Sequence, residues 1–482
     1  LAQAIWFQCC PPLFGMPGTQ EPKKSREWFE DAFGFAEGSY KETRRRFVYE
    51  GAALKTISNG RRFHVGWFEL QTLESLRERF AAFSKRASKE YHRKGGLTFE
   101  HIVADTFDLH RDSGNEKAVF QVSSLCNCLE TITGRTPNDG VTPYADDGTQ
   151  GAACAIACPG ATVFRNYFAG DHDEGQGGGG GKQLDCMSDL AEHLHNDTEM
   201  YWKVKCGYVM PITGERISDL SIKIARDPDF AAGLRERIKV GIHWDAEVVS
   251  CAHKVCQVFC YAMPVSDSKY CTRAEDWAGL AKVVLEAMYD ATLTAAATLA
   301  VRQGERIKVY LTQIGGGIMG NRREWIASAM DKVLLAHERE PLDVMMVHHA
   351  VLPLAADPLA KLQNGRRPVR ATQKRQVLPD RAKALINWKA TPRTGTSVID
   401  QLKFLFTVFD QNGDGYIDRE EFSHVLKLAD STFFTSSIVD LLLREADADG
   451  SGTIHYNEFV SWVFEEDADV TAKLGLAMDT AA

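Results

Sequence analysis

Residues 307–325 read IKVYLTQIGGGIMGNRREW, and their order decides the fold class of the larger part of this chain. A run of β-branched, aromatic and aliphatic residues predicts a buried strand. It is followed at once by Gly315, Gly316, Gly317 and Gly320, and then by a helical pattern that starts near Arg323. A strand turning through glycines straight into a helix is the unit of a layered α/β sheet. Outward from it the same alternation continues. FEHIVAD (99–105), KAVFQVSSL (117–125), ATVFRNYF (161–168), RIKVGIHW (237–244), KVCQVFCYAM (254–263) and LDVMMVHHA (342–350) predict further buried strands. Helical periodicity covers 276–301 and 323–337. Apolar strands alternating with helices imply a largely parallel sheet with both faces covered.

The glycine turn also carries chemistry. Glycines leave backbone amides uncovered, and a helix N-terminus adds the positive end of its dipole, which suits a diphosphate or another anion. The spacing is not GxxxxGK[ST], so a P-loop NTPase is not supported. The first 95 residues predict a helix at EWFEDAFGF (27–35), short strands at RRFVYEG, AALKTISNG and RRFHVGWFEL with a turn at Asn59-Gly60, and a helix over 72–88. They read as a small α+β cap without evident chemistry.

The body resembles the macro domain, the ADP-ribose-binding fold. GGGIMG after a strand is similar to that family's second phosphate-gripping loop. FEHIVADTFDLH resembles its first strand, VFQVSSLCNCLE the next, and DDGTQGAACAIACPGATVFRNY its first Gly-rich loop running into a helix. The resemblance implies a three-layer α/β body. It also implies a nucleotide site made of Asp105 on the adenine side, Asn127 on the ribose side, Gly148, Gly151 and Ala152 at one loop, and Gly315, Gly316, Gly317, Ile318 and Gly320 at the other. The tract GQGGGGGKQLD (175–185) lacks the paired glutamates of poly-ADP-ribose glycohydrolases, so it reads as a surface loop. Asp146, Asp147, His243, Asp245 and Glu247 are the residues that could orient a water if the body hydrolyses an ADP-ribosyl bond.

The C-terminal part speaks more plainly. DQNGDGYIDREE (410–421) offers oxygens at the spacing that calcium needs: Asp410, Asn412, Asp414, the Tyr416 carbonyl, Asp418 and the bidentate Glu421, with Gly415 at the sharp turn. DADGSGTIHYNE (447–458) repeats the pattern with Asp447, Asp449, Ser451, Thr453, His455 and Glu458, although His455 is an unusual oxygen-site residue. Ile417 should pair with its counterpart in the second loop. Apolar helical flanks complete two helix–loop–helix units, and the pair is identified as an EF-hand pair with two calcium sites.

The expected organisation is therefore a cap over 1–95, a macro-like α/β domain over 96–355, a basic linker over 356–395 and an all-α EF-hand pair over 396–482. At 482 residues the chain has length for about three domains. Its 44% hydrophobic and 25% charged residues exclude collagen-like, mostly disordered and disulfide-stapled classes. From Thr396 onward there are 17 Asp and Glu against five Lys and Arg, a net of −12 beside −9 for the whole chain. Residues 361–395 hold ten Lys and Arg, one Asp and three prolines. Such a stretch is a solvated tether or a contact for an acidic partner, such as tubulin or another cytoskeletal surface. No apolar run reaches membrane-spanning length, and the N-terminal stretch makes a poor signal peptide. Twelve cysteines, mostly in apolar runs, read as reduced core thiols rather than metal ligands. This favours a cytoplasmic setting, with association to the cytoskeleton or a cilium as the variant. Three functions remain open: a calcium-responsive binder or scaffold that takes ADP-ribose or a related nucleotide, a structural calcium-binding component of a cytoskeletal or ciliary assembly, and a calcium-regulated ADP-ribosyl hydrolase.

Overall fold

The computed structural model describes residues 27–362 except 86, 88–90, 92–93, 131–135, 171–174, 178–182, 267–272, 350–351 and 353–356. It also describes 410, 415–429, 439, 443, 446–447 and 451–455, with side chains left aside at 425–429. The chain divides into two compact units, one of Pro22–Arg367 and the other of Leu1–Glu21 with Pro368–Ala482.

In the larger unit, α1 (Trp28–Phe33) and α2 (Tyr40–Arg45) precede the antiparallel strands β1 (Phe47–Tyr49), β2 (Ala53–Thr56) and β3 (Arg62–His64). Gly34 ends α1 at φ +77°, and Gly60 makes the expected turn at φ +69°. Then come β4 (Trp67–Thr72), α3 (Leu73–Ser84), β5 (Thr98–Val103), α4 (Thr106–Arg111), β6 (Val119–Ser123), α5 (Gln150–Ala157), α6 (Pro159–Tyr167) and α7 (Ser188–His193). They are followed by the hairpin β7 (Trp202–Lys205) and β8 (Tyr208–Pro211), α8 (Gly214–Arg226), α9 (Pro228–Glu236), β9 (Lys239–Glu247) and β10 (Lys254–Cys260). The unit closes with α10 (Ala274–Gln303), β11 (Ile307–Leu311), α11 (Arg323–Ala336) and β12 (Leu342–His348).

Seven strands form one mixed sheet in the order β4-β9-β10-β6-β11-β12-β5. The five strands from β10 to β5 run parallel, and β9 is antiparallel to β10 and to β4. One face packs on α3, α8, α9, α10 and α11, and the other on α5, α6 and the small three-stranded sheet. This is the three-layer α/β arrangement that the alternation predicted. α10 is long and apolar enough to cross a membrane, yet 89% of its most apolar window is buried in this core. Its Ala, Leu and Thr residues are covered on every side, which makes it the central helix of one layer.

Two expectations need correcting. RRFHVGWFEL is not one strand of a separate cap. Gly66, at φ +70°, breaks it, because a Cβ there would lie 1.9 Å from the Trp244 carbonyl oxygen. The second half becomes β4 at the edge of the main sheet, so the packing does not divide at residue 95. ATVFRNYF is not a strand but most of α6. Pro159 opens that helix at a position where its missing N–H costs nothing, and both sides of the helix are covered. An element apolar all round looks alike at period 2 and period 3.6, which explains the misreading.

In the smaller unit, β13 (Tyr416–Ile417) pairs antiparallel with β14 (Ile454–His455), and α12 spans Arg419–Ala429.

Candidate functional site

Parallel strands deliver their following loops to one edge of a sheet, and ligands of open α/β sheets bind in the crevice at that carboxyl edge. Here the loops after β5, β6, β10, β11 and β12 meet there. Thr106, just past β5, donates its N–H to Gln150 Oε1 at 2.9 Å and its hydroxyl to the Gln150 carbonyl at 3.1 Å. Gln150 in turn bonds His349 past β12. Asn321 Nδ2 donates to the Met263 carbonyl past β10 at 2.8 Å, and its backbone N–H donates to the Gly315 carbonyl at 2.9 Å. Side-chain amides therefore sew the five strand ends into one rim.

The Gly-rich turn sits in this rim as predicted. Gly315 and Gly320 adopt φ +72° and +67°. A Cβ on Gly315 would lie 2.4 Å from Ala262 Cβ, and one on Gly320 would lie 2.6 Å from Ser266 Cβ. Those two glycines are steric necessities. Gly317 differs: nothing lies within 4 Å of a Cβ placed there. Gly317 and Ile318 form the exposed tip, and their N–H groups have no acceptor among the described residues. Ile318 is 63% exposed, an apolar residue presented at the rim.

On the neighbouring strand, β6, the chain passes Glu130 and the turn of Tyr144 and reaches α5. Asp147 Oδ1 accepts the Thr149 N–H at 2.8 Å, and Thr149 caps α5. Gly148 is exposed at this helix start, whereas Gly151 and Ala152 are buried against the β6 end. Asp105 caps α4 by accepting the Phe107 N–H at 2.7 Å, which holds its carboxylate at the rim. Asp105, Gly148, Gly151, Ala152 and the 315–320 turn are thus brought together. Asn127 is not free to serve them. It is fully buried, bonds Gln183 Oε1 at 3.2 Å and accepts the Leu129 N–H at 3.3 Å. It braces the turn that leads to Glu130.

The residues considered for water activation separate. His243 is fully buried in the sheet, with its ring against Phe68 and Phe164 and its Nδ1 3.3 Å from an Arg165 guanidinium nitrogen. Burial and then Arg165 push it well below the usual imidazole range. Glu247 Oε2 accepts the His64 N–H at 2.6 Å. Asp245 and Glu247 end an antiparallel strand, so they lie at the edge opposite the rim. Of that group, Asp147, with Asp146 directly before it in the chain, stands at the candidate site.

Two features were missed by sequence reasoning. One is Glu130, whose carboxyl is buried beside Gly151; nothing in LCNCLET distinguishes it from a surface glutamate. The other is a chain of hydrogen bonds. His101 Nε2 lies 3.2 Å from the Leu362 carbonyl, which can only accept, so that nitrogen carries the proton. His101 Nδ1 then accepts from His348 Nε2 at 2.9 Å, and His348 Nδ1 accepts from Gln313 Nε2 at 3.3 Å. Burial, His101 and Arg323 lower His348 to about 3, so both rings stay neutral and the polarity is fixed.

The calcium loops fit the ion. Gly415 and Gly452 take φ +87° and +90° at their sharp turns. Asp410 Oδ2 accepts the Gly415 N–H at 3.0 Å, and Asp447 Oδ2 accepts the Gly452 N–H at 2.8 Å. Both aspartates are thereby folded into their loops. Ser451 Oγ bonds the Thr453 carbonyl at 3.0 Å. Asp418 and Glu421 form a reciprocal box: Glu421 N–H to Asp418 Oδ1 at 2.8 Å, and Asp418 N–H to Glu421 Oε2 at 3.0 Å. Tyr416 pairs with His455 and Ile417 with Ile454, so the expected coupling of the loops is present. Asn412, Asp414, Asp449 and Glu458, and the linker beyond residue 362, lie outside the described residues. Nine described cysteines are free thiols, seven of them buried, and no group of three or more His, Cys, Asp and Glu suited to a metal occurs among the described residues.

The family model of the EF-hand domain pair matches residues 399–464. Over 64 residues the chain is 41% identical to calcineurin B type 2 of Dictyostelium discoideum, which is 12% of this chain and 35% of that protein. Over 60 residues it is 38% identical to troponin C isoform 1 of Homarus americanus (12% and 39%). Over 62 residues it is 40% identical to calcium-dependent protein kinase 32 of Arabidopsis thaliana (13% and 11%). The chain thus spans well under half of each of these relatives. Among solved structures, the poly(ADP-ribose) glycohydrolase of Thermomonospora curvata is similar at 12% identity and a TM-score of 0.34, covering 69% of this chain and 95% of that one. The Deinococcus radiodurans enzyme in complex with ADP-ribose is similar at 9% identity and a TM-score of 0.32, covering 61% and 91%.

Proposed function

We propose that the α/β body binds ADP-ribose or a closely related diphosphate nucleotide, and that the attached EF-hand pair makes this a calcium-responsive binding protein. One observation carries the reading. Segments more than 200 residues apart in the chain converge at the carboxyl edge of the parallel strands, where the 315–320 turn and the start of α5 end on adjacent strands. Two helix N-termini bounded by glycines, with open amides at Gly317 and Ile318, suit a diphosphate. Asp105 at the same rim supplies an acceptor for a base amine. The resemblance of GGGIMG to a macro-domain loop points to the same ligand class.

Calorimetry on the full chain tests it: ADP-ribose should bind saturably with and without calcium, and a folded chain that gives no binding heat would overturn the reading. Binding, rather than hydrolysis, is the activity proposed, because His243, Asp245 and Glu247 are remote from this rim.

A further inference from the structure

We propose that Glu130 is a ligand-facing residue of the α5 end of this site, where its carboxyl hydrogen-bonds a diphosphate or ribosyl oxygen of the bound nucleotide. The proposal rests on the nucleotide reading above and adds a proton to it.

Geometry comes first. Gly151 is the second residue of α5, and a Cβ there would lie 2.1 Å from the Ser123 carbonyl oxygen and 2.5 Å from Glu130 Oε2. The Glu130 carboxyl therefore occupies the space that a side chain at 151 would need, directly against the first turn of an eight-residue helix. Glu130 is 7% exposed, and its Oε1 is buried without a hydrogen-bond partner among the described residues. A buried polar atom left unpaired costs stability, and such atoms in native proteins call for an occupant. The helix N-terminus supplies the complementary half of the site, uncovered amides and a positive dipole end.

The charge state follows from every group that faces this carboxyl. Burial raises it most, and Asp147, in the loop before α5, raises it further. Arg165 on α6 acts the other way, but its guanidinium is committed to the Cys128 carbonyl, Thr162 Oγ1 and His243. Cys128 faces the carboxyl as well and raises it slightly, and Tyr144 lies beside it; burial and then Glu130 push the Tyr144 phenol above its ordinary range. Burial and Asp147 thus shift this carboxyl toward its neutral, proton-bearing form. Ionised, it would occupy the anion position at α5 and repel a diphosphate. Neutral, it donates to one.

Binding should then favour the protonated chain. ADP-ribose affinity of the full chain, measured by calorimetry between about pH 6 and 9, should weaken by up to about tenfold per pH unit once Glu130 ionises. Its heat should also depend on the ionisation enthalpy of the buffer. Glu130→Gln, a near-isostere that cannot ionise, should bind with an affinity flat in pH, above that of the parent at the alkaline end. Asp147→Asn removes the charge that holds the proton on, so its loss of affinity should begin at lower pH. Equal pH profiles for the parent and a folded Glu130→Gln chain would overturn the proposal while leaving the nucleotide reading intact. No binding by the parent or either variant at any pH would overturn both.

Discussion

Gly315 and Gly317 stand two residues apart in one turn, and replacing them should fail in opposite ways. Gly315→Val puts a branched side chain at φ +72° and against Ala262, so it should destabilise the body by about 1 to 3 kcal/mol. Gly317→Val meets no strain and no neighbour, so thermal melting should match the parent. Its ADP-ribose affinity should nevertheless drop at least about tenfold, because the added side chain fills the approach to the open amides. Equal loss of stability in both variants would refute this division of labour. In the first calcium loop, Glu421 is only 3% exposed and already held at its post by Asp418. Glu421→Gln should weaken calcium binding at this first loop by at least about tenfold in a calcium titration. The residue scale also marks where sequence reading stopped. The turn glycines Gly315, Gly320, Gly415 and Gly452 were legible because backbone geometry demands that residue type there, and the EF-hand pair was legible because ion size sets the spacing of its loops. Asn127 and Glu130 were not, since whether a polar residue braces a turn or faces a ligand depends on which segment folds against it.

Between elements, two junctions carry most of the risk. Ile417 and Ile454 are fully buried and directly paired across β13 and β14. Ile417→Ala should cost about 2 to 4 kcal/mol in that unit. It should also weaken calcium at both loops, although it removes no ligand. Unchanged affinity at the second loop would separate the two sites. In the body, Asp290 of α10 joins Arg77 of α3 and His337 of α11, at 3.0 Å for the histidine. Burial alone would raise its carboxyl, yet the hydrogen bonds and charges of His337 and Arg77 hold it below the usual range. A depressed carboxyl stabilises the fold above its unfolded value, and that contribution is lost as pH falls through the lower folded one. Asp290→Asn should therefore cost about 1.5 to 3 kcal/mol at pH 7, with melting curves that converge with the parent below about pH 4. The strand order itself was beyond the sequence: alternation predicts layers, but nothing local in RRFHVGWFEL tells that its second half joins a sheet completed some 170 residues later.

For the whole molecule the telling quantity is charge. The segment from Thr396 carries −12 and residues 361–395 carry +9. Two calcium ions cancel four charges of the acidic segment and so weaken their attraction. A loaded EF-hand pair also opens an apolar groove that suits an amphipathic segment such as RAKALINWKA. A desolvated Trp in a groove is worth about 2 kcal/mol or more, above what screened surface pairs contribute. Calcium should therefore capture the linker. The Trp388 contribution, taken as the difference from a Trp388→Phe chain, should shift to the blue on adding calcium and remain shifted in high salt. A red shift, or none, would leave the basic segment for an external acidic partner.

The hydrogen-bond chain from Leu362 through His101 and His348 to Gln313 has a mechanical consequence. Leu362 is fastened, through two rings, to Gln313, two residues before Gly315. Asp357 pairs with Arg323 of α11 in the same segment, and Leu359 and Leu362 are buried, so side chains as well as this hydrogen-bond chain seat residues 357–362 on the body. A change that breaks the chain of hydrogen bonds at His101 or His348 would therefore be felt at both of its ends, at the seat of residues 357–362 and beside the glycine turn.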